Sequence, residues 1–194
     1  MEAITKKIGN IAVVEFKSVS RGISVTDAMI KAADVRTVLS TTLCPGKYLT
    51  IVSGDVSAIE SSKNIADELG GRHVFSSFVV NGVGQEIIDA IGGKLDEDPT
   101  GAISVIESLQ MANLINAADL SMDAADVGFL DFRLGRGCGV NCFYVLTGTL
   151  TDIKEATGVA IDFLKSLGSL IAYKIVASPD RELIRFLRSS YCNC

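Results

Sequence analysis

Ala32-Ala33-Asp34-Val35 returns later in the chain, letter for letter, as Ala124-Ala125-Asp126-Val127. Working outward from that string, Ile11 to Val35 overlays Ile103 to Val127 in constant register, with Glu15 on Glu107 and Asp27 on Asp119. After a short insertion in the second copy, Cys44 falls on Cys138, Gly54 on Gly148, Ile59 on Ile153 and Ala66 on Ala160. A second small shift pairs Val80 with Val176, Glu86 with Glu182 and Ile88 with Ile184. Chance likeness does not keep its order over a whole chain with only two small shifts. The sequence is a tandem duplication.

The joint is Gly92-Gly93-Lys94-Leu95-Asp96-Glu97-Asp98-Pro99-Thr100, where glycine, acid and proline concentrate as in a solvated connection. This places a first domain at 1–93, a linker at 94–100, a second domain at 101–190 and a tail at 191–194. The 194 residues are 48% hydrophobic with a mean hydropathy of +0.37, yet no run approaches the ~18 apolar residues of a membrane span. Such apolar content fits either burial between subunits or a well-filled core. A net charge of −5 without a basic cluster argues against nucleic acid as a partner. Residues 1–7 lack the apolar core of a secretory signal, so the expected location is cytoplasmic, with the five cysteines as thiols or metal ligands.

Each copy has one coarse plan. Ile8 to Phe16 reads as a strand, and Ile23, Ala28-Met29 and Ala32-Ala33 recur at helical spacing from about Gly22 to Ala33. Val35 to Leu43 and Tyr48 to Val52 read as strands joined by a turn at Cys44-Pro45-Gly46-Lys47. Asp55 is a good N-cap, and Ser57 to Glu60 has capping-box spacing, for a helix to about Leu69. Gly70-Gly71 stops it, His73 to Val80 is the next strand, and Gln85 to Ile91 a short closing helix. The order β-α-β-β-α-β predicts an α+β chain of two ferredoxin-like domains, each an antiparallel sheet with helices on one face. One such unit leaves a sheet face and edges that a partner repeat must cover.

The chemistry-bearing residues are few. Pro45-Gly46 is a good type II turn pair, and Cys44 beside it is either a small apolar filler or a soft metal ligand. Its counterpart Cys138 lies in Gly135-Arg136-Gly137-Cys138-Gly139, whose glycines let backbone approach a neighbour closely. No lysine-serine follows that loop, which excludes a P-loop. If the two turns meet at a symmetry axis, thiols from several subunits can hold a ligand jointly. Lys47 and Arg136 either place positive charge there or are solvated. Cys142 begins a strand and reads as packed, Cys192-Asn193-Cys194 is a free-end pair, and the one histidine, His73, reads as structural. With a single histidine a Ser-His-Asp triad is excluded, and no enzyme activity is expected.

Thr26 to Val35, the Cys44 turn, Gly54-Asp55-Val56, and Ala102 to Ser108 resemble the bacterial microcompartment shell domain. Two fused copies are similar to the tandem shell proteins that assemble as trimers shaped like hexamers. Leu43-Cys44-Pro45-Gly46-Lys47 more narrowly resembles the tandem shell proteins of propanediol-utilisation compartments. The resemblance implies a homotrimeric pseudohexamer in a microcompartment shell, alongside other shell proteins and an encapsulated redox enzyme. It also implies a [4Fe–4S] cluster at a central pore, one per trimer, for electron transfer or cluster passage. Three Cys44 thiolates would ligate three irons, leaving the fourth iron a non-protein ligand. Cys138 would be a possible second ligand, and Pro45, Gly46, Lys47, Gly137 and Gly139 would shape the pore loops. Lys31 matches the lysine at the tiling edge of that family, whereas the second copy has Asp123 there. The alternatives are a passive metabolite pore without a cofactor, and a free-standing ferredoxin-like regulatory trimer.

Overall fold

The computed structural model describes residues 8–95, 101–135 and 141–189. The chain divides into two compact units, Met1–Gly92 and Gly93–Cys194.

In the first unit β1 (Ile8–Phe16), α1 (Val19–Ala32), β2 (Val35–Leu43), β3 (Lys47–Gly54), α2 (Val56–Gly70), β4 (Val74–Gly84) and α3 (Gln85–Ile91) follow in order. The second repeats the plan with β5 (Ala102–Ser108), α4 (Met111–Ala124), β6 (Val127–Arg133), β7 (Cys142–Gly148), α5 (Leu150–Ser166), β8 (Leu170–Val176) and α6 (Arg181–Ser189). The sheets run β2-β3-β1-β4 and β6-β7-β5-β8, antiparallel throughout. This is the α+β ferredoxin-like order expected from the sequence.

Strand alternation sorts the core. Ala12, Val14 and Phe16 of β1 pack with Val25 and Met29 of α1 and Ile59 and Ala66 of α2, all at most 2% exposed. Each such large side chain contributes about 1.5–3 kcal/mol by leaving water. In the second unit the Thr157 hydroxyl of α5 donates to Ser104 Oγ at 2.8 Å. The flanking Ile103 and Val105 point the other way, where Ile184 and Leu187 of α6 pack. The two long helices thus share one sheet face, and the short closing helix of this unit covers the other.

Local details differ from the sequence reading for identifiable reasons. Helix α1 begins at Val19, ahead of Gly22, because Ser18 is the N-cap and its Oγ accepts from Arg21 N at 3.4 Å. Its buried stripe is Gly22, Val25, Thr26 and Met29, whereas Ile23 is 53% exposed. Asp55 occupies the N-cap of α2 with an extended backbone but makes no side-chain cap bond. The Ser57–Glu60 capping box does not form, since Ser57 already lies inside the helix. Gly71 at φ 49° ends α2, as its position after Gly70 predicts.

Cys142, the packed thiol expected at the start of β7, is fully buried and donates its S–H to the Ser108 carbonyl at 3.1 Å. Desolvation by burial pushes its pKa from 9.0 up to about 12, against a smaller opposing effect of its backbone hydrogen bond. Burial likewise raises the Tyr144 hydroxyl, which shares a 3.0 Å hydrogen bond with Ser121.

Gly22 sits mid-helix where an added Cβ would lie 2.6 Å from Tyr48 Cβ. Gly22→Ala is therefore expected to lose about 1–3 kcal/mol in urea unfolding, although alanine is the better helix former. A stabilised variant would show that the helix can shift away. Cys142 holds ~10³-fold less thiolate than a free thiol and should resist iodoacetamide at pH 8 until the chain unfolds. Peptide mapping by mass reads this directly. The sign for stability follows, because the unfolded thiol ionises near 9.0 and the folded one near 12. Its stabilising contribution is complete below pH 9.0 and is lost as pH rises toward 12.

Candidate functional site

Strands β2 and β3 pair down to Leu43 opposite Lys47, which leaves Cys44, Pro45 and Gly46 as the tip of the hairpin. The Cys44–Pro45 peptide is cis, and Gly46 has φ 75°, a value that glycine adopts at no steric cost. A Cβ placed on Gly46 would meet nothing within 4 Å, so the turn borders open space. Pro45 and Gly46 are exposed, and Cys44 is half-buried with a free thiol.

Lys47 departs from the expectation of a freely solvated cation. Its ammonium lies 2.8 Å from Glu15 Oε1 and 3.4 Å from the centroid of the Phe75 ring. The Lys47 side chain is 22% exposed and that of Glu15 only 8%. Charge that the sequence offered to the turn is neutralised at its base, and the aromatic face adds a cation–π contact. The sequence held one signal for this pairing: Glu15 interrupts the apolar run Ile11 to Phe16, and a buried carboxylate needs a cation.

The second turn has a comparable brace at the end of β6. Arg133 Nε donates to Asp131 Oδ2 at 2.7 Å, and its guanidinium lies 5.6 Å from the Phe143 centroid. Arg136, Gly137, Cys138 and Gly139 lie outside the described residues, as do Cys192 and Cys194. Cys142 is buried and bonded to backbone, which removes it as a chelating partner. Among the described residues no three His, Cys, Asp or Glu side chains are grouped to hold a metal within one chain.

His73 ends a 3-10 turn (Gly71–His73) and is half-buried, with its carbonyl accepting from Lys17 N at 2.8 Å. Lys31 lies in the last turn of α1 and pairs with Asp27 at 2.6 Å. Both side chains are largely exposed, at 73% and 63%, so the pair contributes at most about 1 kcal/mol.

Comparing equivalent positions separates the copies. Ile23 is 53% exposed, while Ile115 is 0% exposed. Arg36, Thr37, Ser40 and Thr42 of β2 are exposed, whereas every residue of β6 is buried or half-buried.

The BMC domain family matches residues 10–83 and again 102–179. Bacterial microcompartment shell protein PduT of Citrobacter freundii is 29% identical over 175 residues, spanning 90% of this chain and 95% of that protein. A microcompartment protein from Desulfitobacterium hafniense DCB, known from its crystal structure, matches with a TM-score of 0.86 and 30% identity, covering 92% of this chain and 99% of that one. A fused permuted hexameric shell protein from the RMM microcompartment shares the fold at a TM-score of 0.53 and 22% identity, over 82% of this chain and 85% of that one. No helix among the described residues is long and apolar enough to cross a membrane. Both halves carry the same domain, and the chain belongs to the BMC domain family as a tandem, structural rather than catalytic, component of the bacterial microcompartment shell.

Proposed function

We propose that three copies of this chain close into a pseudohexameric ring whose Cys44 turns meet at a central pore and together hold one [4Fe–4S] cluster. The shell domains in this reading are residues 1–93 and 101–190. The observation that carries the cluster is the free Cys44 thiol at a hairpin tip beside open space. A soft thiolate is the ligand iron–sulfur clusters take, and one donor per chain suits a cluster shared around a three-fold axis. When bound, the cluster supplies one-electron transfer between the two sides of the shell, serving a redox enzyme inside, or is itself handed across. The chain presents the thiol on a paired hairpin and keeps the Lys47 charge on Glu15. Cys138, Gly137 and Gly139 of the second copy belong to the alternating pore loops, with Cys138 a further possible ligand.

The ring reading is supported by the difference between the copies. A second copy of the chain covers the exposed α1 and β2 edge of the first unit, whose counterparts Ile115 and β6 are already buried. Ring closure of such head-to-tail contacts gives a closed trimer. Lys31, exposed on α1, is left for contact with neighbouring shell assemblies.

Two experiments test the reading. Cys44→Ser is expected to reduce iron and sulfide after anaerobic reconstitution by at least ~10-fold and to abolish the reduced-state EPR signal, since a hydroxyl replaces all three thiolates at once. The trimer mass should persist. Wild-type protein that stays iron-free would leave a passive metabolite pore, and a variant that keeps its iron would move the site toward Cys138. Ile23→Asp should shift the mass from trimer toward monomer in light scattering with little change in unit stability, because Ile23 is exposed in the single chain. A variant that remains fully trimeric would place the interface elsewhere.

A further inference from the structure

The fold gathers cations that are scattered in the sequence. Lys17 Nζ donates to the Arg72 carbonyl at 3.2 Å, and the Arg21 guanidinium donates to the Leu69 carbonyl. Arg72 and His73 belong to the same 3-10 turn, and Lys17 N bonds to the His73 carbonyl at 2.8 Å. Ser18 and Ser20 lie alongside with their hydroxyls 3.2 Å apart. Lys17, Arg21 and Arg72 are all exposed. Asp67, an acid of this stretch, is tied to Lys63 at 2.6 Å, which leaves Glu68 as its one unpaired carboxylate. The backbone thus brings three exposed basic residues to one corner of a chain whose net charge is −5.

Capping the end of α2 explains part of this, since cations suit a helix C-terminus. It does not explain Arg72, which reaches no carbonyl in the structure. Nor does the fold require the charges. In the second unit the same backbone bond is kept as Leu109 N to Ser169 O at 3.0 Å. There the positions of Lys17, Arg21 and Arg72 are held by Leu109, Asn113 and Gly168. Backbone bonds from Gly168 N to Lys165 O and from Ser169 N to Leu164 O, both 3.0 Å, finish that helix instead.

We infer that the corner formed by Lys17, Ser18, Ser20, Arg21 and Arg72 binds a phosphate-class anion, either free phosphate or the phosphoryl group of a small metabolite. Arginine and lysine provide charge-assisted donors, and the hydroxyls provide neutral ones. The site exists once per chain, in the first unit only.

Titration calorimetry of the intact chain with inorganic phosphate at fixed ionic strength tests this. Saturable binding at one site per chain is expected, weakened roughly tenfold in Arg72→Gln. Arg72 holds nothing in the fold, so the melting temperature of that variant should match wild type. Lys154→Gln removes one positive charge from an exposed position of α5 in the second unit and should leave affinity unchanged. Glycerol 3-phosphate in the same cell identifies the source: tighter binding than inorganic phosphate points to a phosphorylated metabolite, and equal binding to free phosphate. Heats that never saturate and are matched by chloride would overturn the site. So would equal phosphate affinity in wild type and Arg72→Gln.

Discussion

Strand β1 is buried on both faces, and a carboxylate sits within it. Ile11, Ala12, Val13, Val14 and Phe16 are at most 1% exposed, and Glu15 between them is 7% exposed. A charge at such a position is tolerated only when paired. Its partner is Lys47, the first residue of β3, so the demand of the core reaches out to the base of the Cys44 turn. Phe75 on the edge strand β4 closes over the ammonium. One buried carboxylate thereby ties β1, β3 and β4 together at the end of the sheet where the thiol is displayed.

What the sequence could show was whatever repeats or alternates. The duplication, the strand order and the bounds of β1, β2 and α3 are legible because hydrophobic period and glycine breaks are local signals. The inward face of α1 was not, since Ile23 looks like core by composition. The helix turns Gly22 inward because Tyr48 needs the space, and Ile23 is left outside. The exposed position of an isoleucine makes sense only when a further surface is considered. Cys44 was legible as the tip residue of a turn. The fate of Lys47 was not, because Glu15 and Phe75 are distant in sequence and meet it only through strand pairing.

The same limit hid the basic corner. No stretch of the chain has a run of positive residues, and Lys17, Arg21 and Arg72 look unrelated when read in line. The pairing of β1 with β4 brings the end of the first strand beside the start of the fourth, and α2 ends at the same place. Charge clustering here is a product of topology. The second copy has the identical topology without the charges, which separates what the fold needs from what one copy alone has acquired.

In the proposed trimer, two fused domains would serve a shared cofactor differently from six identical ones. Six identical domains around a pore would present six equivalent turns, and any residue change would appear six times. In the proposed trimer each kind of turn appears three times, so one set can offer thiols while the other varies. The turn sequences of the copies differ accordingly: one reads Cys44-Pro45-Gly46-Lys47, the other Gly135-Arg136-Gly137-Cys138-Gly139. A [4Fe–4S] cube has a three-fold axis through one iron, which matches three donors and leaves the iron on the axis without a protein ligand. Six-fold repetition offers no such match. In the proposed trimer, duplication would lower the symmetry of the site to that of such a cluster while both domains keep the same strand order.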